Sequence, residues 1–74
     1  MTRHTLDVRR QLCPIPVIKT QNKVKTLAVG DVLEVVATDP GVFQDIPAWC
    51  RVHGHVVLEC KEAAGEFVVV VEKK

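Results

Sequence analysis

The chain has 74 residues, which is the length of one small domain, and we take residues 1–74 as a single domain. Its composition, 47% hydrophobic and 26% charged, is typical of a globular protein. No apolar run approaches the roughly 18 residues that a membrane span needs, and the N-terminus lacks the apolar stretch of a secretion signal. We therefore expect a cytoplasmic protein that makes no membrane contact.

The charges are unevenly distributed, although the formal net charge is only +1. The first 30 residues contain six Lys or Arg and a single Asp, whereas the remainder contains four basic and eight acidic residues. Such an asymmetry indicates either a face that meets an anionic partner or a helix face that is simply solvated.

The first predicted elements are a strand and a helix. Alternation of apolar and polar residues over positions 5–9 predicts a half-buried strand, and residues 10–12 predict a turn. The helix that follows extends to about Leu27, and Gly30 stops it. Five residues are predicted to form its apolar side: Val17, Ile18, Val24, Leu27 and Ala28.

A second strand and a second helix come next. Residues 32–38 are rich in β-branched side chains and predict a strand whose core face carries Leu33, Val35 and Ala37. The sequence Asp-Pro-Gly at 39–41 is a strong turn signal. Apolar residues at helical spacing predict a helix over 44–52, which Gly54 ends. Because Pro47 disfavours a helix interior, the helix proper is predicted to begin at Asp45 or Ile46.

Two strands complete the chain. Residues 55–61 alternate, which predicts that Val56, Leu58 and Cys60 share the core face. Residues 63–66 form a hairpin connection, and the apolar run at 67–71 predicts a central, buried strand before a solvated tail at 72–74. Strand–helix–strand connections are right-handed, so both helices should lie on one face. The order β-α-β-α-β-β therefore predicts an α+β two-layer sandwich with a four-stranded mixed sheet.

The stretch around Cys13 carries the candidate chemistry. Cys13 stands where a helix N-cap stands, and Pro14 and Pro16 fit the first turn of the helix. A thiolate is the reactive form of cysteine, and unpaired N–H groups at a helix start favour it. The alternative is a small buried hydrophobe, but a cysteine between a turn and two prolines has little regular core to join.

The surroundings of Cys13 indicate what kind of reaction it performs. Arg9, Arg10 and Lys19 are close enough in sequence to add positive potential. In a Cys-x-x-Cys site the second thiol resolves a mixed disulfide, but Pro16 occupies that position here. A sulfur-bound group on Cys13 would persist until the thiol of a partner protein takes it. This favours a carrier over a disulfide oxidoreductase or a redox regulator.

Three cysteines cannot all pair within the chain, so we expect reduced thiols. Cys50 lies on an apolar helical stripe and Cys60 alternates with apolar residues, so both are interpreted as core residues. Together with His53 and His55 they also provide four candidate zinc ligands. Their spacing matches no standard zinc pattern, and we expect no metal and no cofactor.

Motifs spread over nearly the whole chain, from about Leu6 to Val71, resemble a known family. These are Leu6-Asp7, Leu12-Cys13-Pro14-Ile15-Pro16-Val17, Gly30-Asp31, Thr38-Asp39-Pro40 and Asp45-Ile46-Pro47-Ala48-Trp49-Cys50. In them the chain is similar to the TusA/SirA-like sulfur carriers. The resemblance implies the β-α-β-α-β-β fold, and a cysteine that accepts sulfane sulfur as a persulfide and hands it on.

The resemblance also implies roles for individual residues. Cys13 would carry the persulfide, Pro14 and Pro16 would shape the start of its helix, and Asp39 would lie near it on the partner-facing surface. The chain departs from the family at Arg10-Gln11, where many members have Gly-Leu. The backbone freedom of glycine is then missing, and Arg10 becomes a candidate determinant of partner choice.

We therefore predict a persulfide carrier, sulfurtransferase-like rather than a classical turnover enzyme. Its expected partners are a sulfur donor, such as a cysteine desulfurase or rhodanese-like protein, and an acceptor protein thiol. We expect a monomer that serves transfer-RNA thiolation, cofactor sulfuration or sulfur oxidation. The alternative is a non-catalytic nucleic-acid or protein-binding module that uses the basic first helix. The absence of Tyr and the few aromatic residues disfavour a base-stacking surface, so no direct nucleic-acid contact is expected.

Overall fold

The computed structural model describes residues 2–12 and 15–74, so Met1, Cys13 and Pro14 lie outside the described residues. The elements are β1 (Arg3–Val8), α1 (Ile15–Lys25), β2 (Val32–Ala37), α2 (Val42–His53), β3 (Val56–Ala63) and β4 (Glu66–Glu72). The predicted order β-α-β-α-β-β is confirmed. Within the described ranges, neither helix has the length and apolar character needed to span a membrane.

The four strands form one mixed sheet in the order β1-β2-β4-β3. β1 and β2 are parallel, while β4 is antiparallel to both β2 and β3. The predicted central position of the apolar strand β4 is therefore confirmed. In the register between β2 and β4, Leu33 lies opposite Val71 and Val35 lies opposite Val69, and all four are buried. They belong to one core cluster with buried residues of both helices, which confirms that α1 and α2 cover the same face.

Helix α1 turns a narrower side to the core than predicted. Its buried residues are Pro16, Thr20 and Val24, which recur at every fourth position and so share one face. Thr20 is polar and escaped a search for apolar periodicity, but its hydroxyl donates to the Pro16 carbonyl at 2.8 Å. Ile18 is 47% exposed and Ala28 lies beyond the end of the helix, exposed to solvent. The predicted place of those two on the apolar side was wrong.

Helix α2 begins at Val42, ahead of the predicted start, and includes Pro47. Its first turn is supported from outside, because the N–H groups of residues 42–44 donate to the carbonyls of residues 39–41 at 3.1–3.2 Å. Pro47 has no backbone N–H and so removes one internal hydrogen bond, and the helix continues through it. At the other end Gly54 has a φ of 79° and caps the helix, as predicted.

Strand β3 contains a bulge at Leu58, where its pairing with β4 shifts between Val57 and Glu59. An extra residue of this kind reverses the alternation of side chains between the two faces. Val57 packs against the core, while Val56 is 39% exposed and Leu58 is 51% exposed. The prediction that Val56 and Leu58 face the core is therefore wrong.

Cys60 is exposed, which corrects its prediction as a core residue. It lies opposite the buried Val69, so its side chain is on the helix-covered face of the sheet. However, β3 is an edge strand, and its residues from Leu58 to Ala63 are all exposed. The face was predicted correctly for Cys60, but the depth of burial was not.

The C-terminal tail is also less solvated than predicted. Glu72 belongs to β4, and Lys73 exchanges two backbone hydrogen bonds with the Gly30-Asp31 turn, at 2.8 and 2.9 Å. The Lys73 ammonium group donates to the Leu27 carbonyl at 2.6 Å. These contacts fasten the end of the chain to the loop that follows α1.

Candidate functional site

The predicted nucleophile, Cys13, and its neighbour Pro14 lie outside the described residues. The residues on either side of them are at the surface. Leu12 is 74% exposed, and Ile15, the first residue of α1, is 46% exposed. The N–H of Ile15 donates to the Leu12 carbonyl at 3.0 Å. The residues that flank Cys13 and Pro14 in the sequence therefore have exposed apolar side chains.

The first turn of α1 has an inner and an outer side. Pro16 is fully buried, and its carbonyl accepts the hydroxyl hydrogen bond of Thr20, so this part of the turn is attached to the core. Ile15, Ile18 and Lys19 are exposed on the other side. Pro16 thus lies in the helix's first turn, as the sequence predicted, and it determines which side of α1 points outward.

Arg9 is engaged within the protein. Its Nε atom lies 3.0 Å from Oδ1 of Asp7, and its Nη2 atom lies 3.0 Å from Oδ2 of the same carboxylate. Its Nη1 atom lies 3.2 Å from Oε2 of Glu66. The hydrogen bond from the Arg9 side chain holds the pKa of Asp7 below its ordinary value, and the two carboxylates raise the pKa of Arg9. The guanidinium of Arg9, which was predicted to add positive potential near Cys13, is therefore paired with the carboxylates of Asp7 and Glu66.

Arg10 has a different environment from its neighbour. Its φ is 65°, in the left-handed region that non-glycine residues rarely occupy. Its backbone N–H donates to the Thr38 hydroxyl oxygen at 2.7 Å, which joins the end of β1 to the end of β2. Within residues 2–12 and 15–74, the Arg10 guanidinium has no hydrogen bond and no ion pair. Glycine adopts this backbone conformation without strain, because it has no Cβ atom.

A cavity of about 550 Å³ lies beside these two arginines, and we call it the Arg10 cleft. Its lining residues are Asp7, Arg9, Arg10, Thr38, Ala64, Gly65 and Glu66. The cleft is formed where the ends of β1 and β2 meet the turn between β3 and β4. Of the predicted site residues, the structure brings Arg9 and Arg10 together here. Lys19 lies on α1 and is not part of the lining.

Asp39 follows Thr38 but belongs to the next turn. Its carboxylate accepts the Gly41 N–H at 3.0 Å, and its carbonyl accepts the Val42 N–H at 3.2 Å. Asp39 thus helps to start α2 and is not among the residues that line the Arg10 cleft. It is one residue away from the hydroxyl that holds the backbone of Arg10.

Sequence reasoning missed most of the cleft. Glu66 reaches Arg9 across 57 residues, and no local pattern signals such a contact. Thr38 was part of a family motif but had no role assigned to it. The departure from Gly-Leu at Arg10 was the one available signal, because a glycine position that precedes a motif often requires a positive φ.

Gln11 has a buried side-chain oxygen, Oε1, that meets no hydrogen-bond donor in the described part of the chain. A buried amide oxygen without a donor loses its hydration and gains nothing in return. The leucine that many family members have here carries no such atom. Gln11 therefore places a buried acceptor where a leucine would place none.

The thiols of the other two cysteines both have a raised pKa. Cys50 is 1% exposed, as predicted, and burial, with a smaller effect from Cys60, raises the pKa of its thiol to about 11. Cys60 is exposed, but partial desolvation raises its pKa as well. At neutral pH both thiols are mainly protonated, so neither has the depressed pKa of a reactive thiol.

A zinc site was the alternative for Cys50, His53, His55 and Cys60. The described residues contain no group of three or more His, Cys, Asp or Glu that is placed to hold a metal ion. The two histidines instead flank an aromatic side chain. The ring of Trp49 lies 5.1 Å from that of His53 and 5.2 Å from that of His55.

Comparison with known proteins identifies the family. The family model of sulfurtransferase TusA matches residues 4–73. The chain belongs to the TusA family. It is 44% identical over 69 residues to the sulfur carrier protein TusA of Pseudomonas paraeruginosa, covering 93% of this chain and 87% of the relative. It is 42% identical to the TusA of Pseudomonas putida, covering 93% and 86%.

Among solved structures, the SirA-like protein from Desulfitobacterium hafniense has the same fold. The two structures superpose with a TM-score of 0.84 at 25% sequence identity, over 93% of this chain and 95% of the other. The resemblance to TusA/SirA-like proteins that the motifs predicted is therefore confirmed. In this TusA-family chain, Asp7, Arg9 and Arg10 of the Arg10 cleft precede the Cys-Pro-x-Pro sequence at 13–16.

The positive φ at Arg10 predicts an order of stability for two variants. Arg10→Gly should have a higher free energy of unfolding than Arg10→Ala by about 1 kcal/mol, because only alanine must hold a Cβ atom in the left-handed region. Both variants lose the guanidinium, so its contribution cancels. Urea unfolding followed by circular dichroism measures the difference. Equal stability would show that the left-handed conformation is not required.

The buried oxygen of Gln11 predicts a stabilising substitution. Gln11→Leu should raise the free energy of unfolding by about 1 kcal/mol, because it removes a buried acceptor that meets no donor among residues 2–12 and 15–74. Gln11→Glu is the matched control, since it keeps the shape but buries a carboxylate, and it should lower stability. Thermal unfolding of the three proteins at pH 7 tests this order, and a destabilised Gln11→Leu would contradict it.

The two described thiols should differ in their reaction with iodoacetamide. In a Cys13→Ser background at pH 7, Cys60 should be alkylated slowly because its pKa is raised, and Cys50 only after the protein is unfolded in urea. Mass spectrometry of proteolytic fragments identifies the modified residue. If the native protein were alkylated at Cys50 as fast as at Cys60, the burial of Cys50 would be incorrect.

Proposed function

We propose that this protein is a sulfur carrier that accepts sulfane sulfur as a persulfide on Cys13 and transfers it to an acceptor protein thiol. The observation that supports this most strongly is membership of the TusA family over residues 4–73, which includes the Cys-Pro-x-Pro motif at 13–16. Relatives at 42–44% identity carry the name sulfur carrier protein. We place the carrier in the cytoplasm and take residues 1–74 as a single domain.

The chemistry consists of two thiol exchanges. The Cys13 thiolate attacks the terminal sulfane sulfur of a donor persulfide, a new S–S bond forms on Cys13, and the donor leaves as a thiolate. An acceptor thiolate then attacks the outer sulfur of the Cys13 persulfide, and Cys13 leaves as a thiolate. Each exchange forms one sulfur–sulfur bond and breaks one, so neither needs a metal or an organic cofactor. Transfer-RNA thiolation, cofactor sulfuration and sulfur oxidation all consume sulfur in this form.

The other thiols of the chain support the choice of Cys13. Cys50 is buried and Cys60 has a raised pKa, so neither competes well for a sulfane sulfur at neutral pH. Cys13 lies two residues before Ile15, the first residue of α1, and the partial positive charge of a helix N-terminus favours a thiolate. Pro16 takes the place of a resolving cysteine, so the persulfide waits for a partner.

The exposed residues around the motif provide a docking surface for partners. Leu12, Ile15 and Ile18 are 74%, 46% and 47% exposed and recur at a spacing of three residues, with Lys19 next to them. A donor such as a cysteine desulfurase or a rhodanese-like protein, and then an acceptor, would dock here on a monomer. Arg9, Arg10 and Asp39 would border this surface on the side of the strand ends.

Mass spectrometry after incubation with a cysteine desulfurase and cysteine tests the proposal. The native protein should gain the mass of one sulfur atom, which a reductant such as dithiothreitol removes, and Cys13→Ser should gain none. Cys60→Ser is the matched control, because it removes the exposed thiol of β3 and should be loaded like the native protein. Sulfur retained in Cys13→Ser, or lost in Cys60→Ser, would contradict the assignment.

A further inference from the structure

The hydrogen-bonding groups of the Arg10 cleft are unequally satisfied. The carboxylates of Asp7 and Glu66 both meet the Arg9 guanidinium at 3.0–3.2 Å. The guanidinium of Arg10 lines the same cavity, and all of its N–H donors lack a partner in the described residues. Within the described residues, the cleft therefore has unpaired hydrogen-bond donors, which belong to the Arg10 guanidinium. A ligand that completes it must supply acceptor oxygens, and a carboxylate does so in the planar geometry that a guanidinium matches.

The backbone of Arg10 is held in place at a cost in stability. Its φ of 65° is strained for a residue with a Cβ atom, and the 2.7 Å hydrogen bond to Thr38 maintains it. Strained residues that their surroundings hold in place are concentrated at binding sites. Arg10 also precedes Cys13 by three residues, so their Cα atoms are at most about 11 Å apart. A peptide of a few residues is long enough to span this distance and place a thiol at one end and a carboxylate at the other.

The size and polarity of the cleft indicate what binds there. Its volume of about 550 Å³ is that of a ligand site, but its walls are mainly charged or polar side chains. Pockets for organic small molecules are mostly apolar. A peptide segment fits better, because it brings a carboxylate for Arg10 together with backbone groups for Thr38 and for the turn at Ala64-Gly65.

We propose that the Arg10 cleft binds a carboxylate side chain of an acidic segment in the sulfur-acceptor protein, and so selects which acceptors discharge Cys13. This inference rests on the proposed function of Cys13. The carboxylate stays ionised and unchanged, while the acceptor thiolate of the same segment attacks the outer sulfur and Cys13 leaves as a thiolate. Arg10 contacts the acceptor and takes no part in the exchange itself.

Transfer to model peptides tests the selection. The protein is loaded with inorganic polysulfide, its mass gain is confirmed, and it is then mixed with acetyl-Cys-Gly-Glu-Glu-amide, its Gln-Gln analogue or its Lys-Lys analogue. With rates corrected to equal thiolate concentration, the acidic peptide should discharge the native protein about fivefold faster than the Gln-Gln peptide at low ionic strength. The ratio should fall towards one in 1 M salt, where charges are screened.

Three variants assign the preference to Arg10. Arg10→Gln keeps the strained backbone but loses the charge, and it should discharge to the acidic and Gln-Gln peptides at equal rates. Arg10→Lys should retain part of the preference, because it keeps a charge without the planar fork. Arg51→Gln removes an exposed arginine in the last turn of α2 and should behave like the native protein. An undiminished preference in Arg10→Gln would overturn the proposal.

A binding measurement separates this inference from the persulfide chemistry. The thiol-free peptide acetyl-Ser-Gly-Glu-Glu-amide is titrated into unloaded, isotope-labelled protein. The amide signals of Arg10, Thr38 and Gly65 should shift in the native protein and not in Arg10→Gln. If these shifts occur but Cys13 cannot be loaded, the cleft stands and the carrier function fails. If loading succeeds but no cleft signal shifts, the cleft does not bind acidic segments and the carrier function stands.

Discussion

The burial of one side of α1 is the constraint on which the exposed site depends. Pro16, Thr20 and Val24 lie one turn apart, and they fix the rotation of an eleven-residue helix over the sheet. The hydroxyl of Thr20 tolerates burial only because the Pro16 carbonyl accepts its hydrogen bond. Once this side is fixed, Ile15 and Ile18 have to face outward. The proline of the motif thus acts through packing as much as through the backbone at the helix start.

Two adjacent arginines illustrate how differently a fold can use the same side chain. Arg9 is bound to Asp7 and Glu66, and it ties the end of β1 to the start of β4. Arg10 is directed into the same cleft without a partner of its own in the described residues. The reversal of the backbone at φ 65° separates their roles. Counting basic residues along the sequence treats the two as equal, whereas among the described residues the Arg9 guanidinium is paired and that of Arg10 is not.

What the sequence predicted, and what it did not, follows from the range of the interactions. The element order, the core face of β2 and the Gly54 cap depend on neighbouring residues, and all three were predicted correctly. The pairing of Arg9 with Glu66 joins distant parts of the chain, and it left no local trace. The bulge at Leu58 is set by pairing with β4, so simple alternation placed Val56 and Leu58 on the wrong face of the sheet. Thr20 was missed because a polar residue gives no signal in an apolar pattern.

The contacts of Lys73 have a practical consequence for studying the protein on a solid support. They hold the last residues beside the Gly30-Asp31 turn, where β2 begins and β4 ends. The Arg10 cleft lies where β2 ends and β4 begins, which places it about 20 Å away along strands of this length. Thr2 is close to the same turn, because its carbonyl accepts the Val32 N–H. Immobilisation through either terminus would therefore leave the cleft facing the solution, in an orientation suited to capturing other proteins.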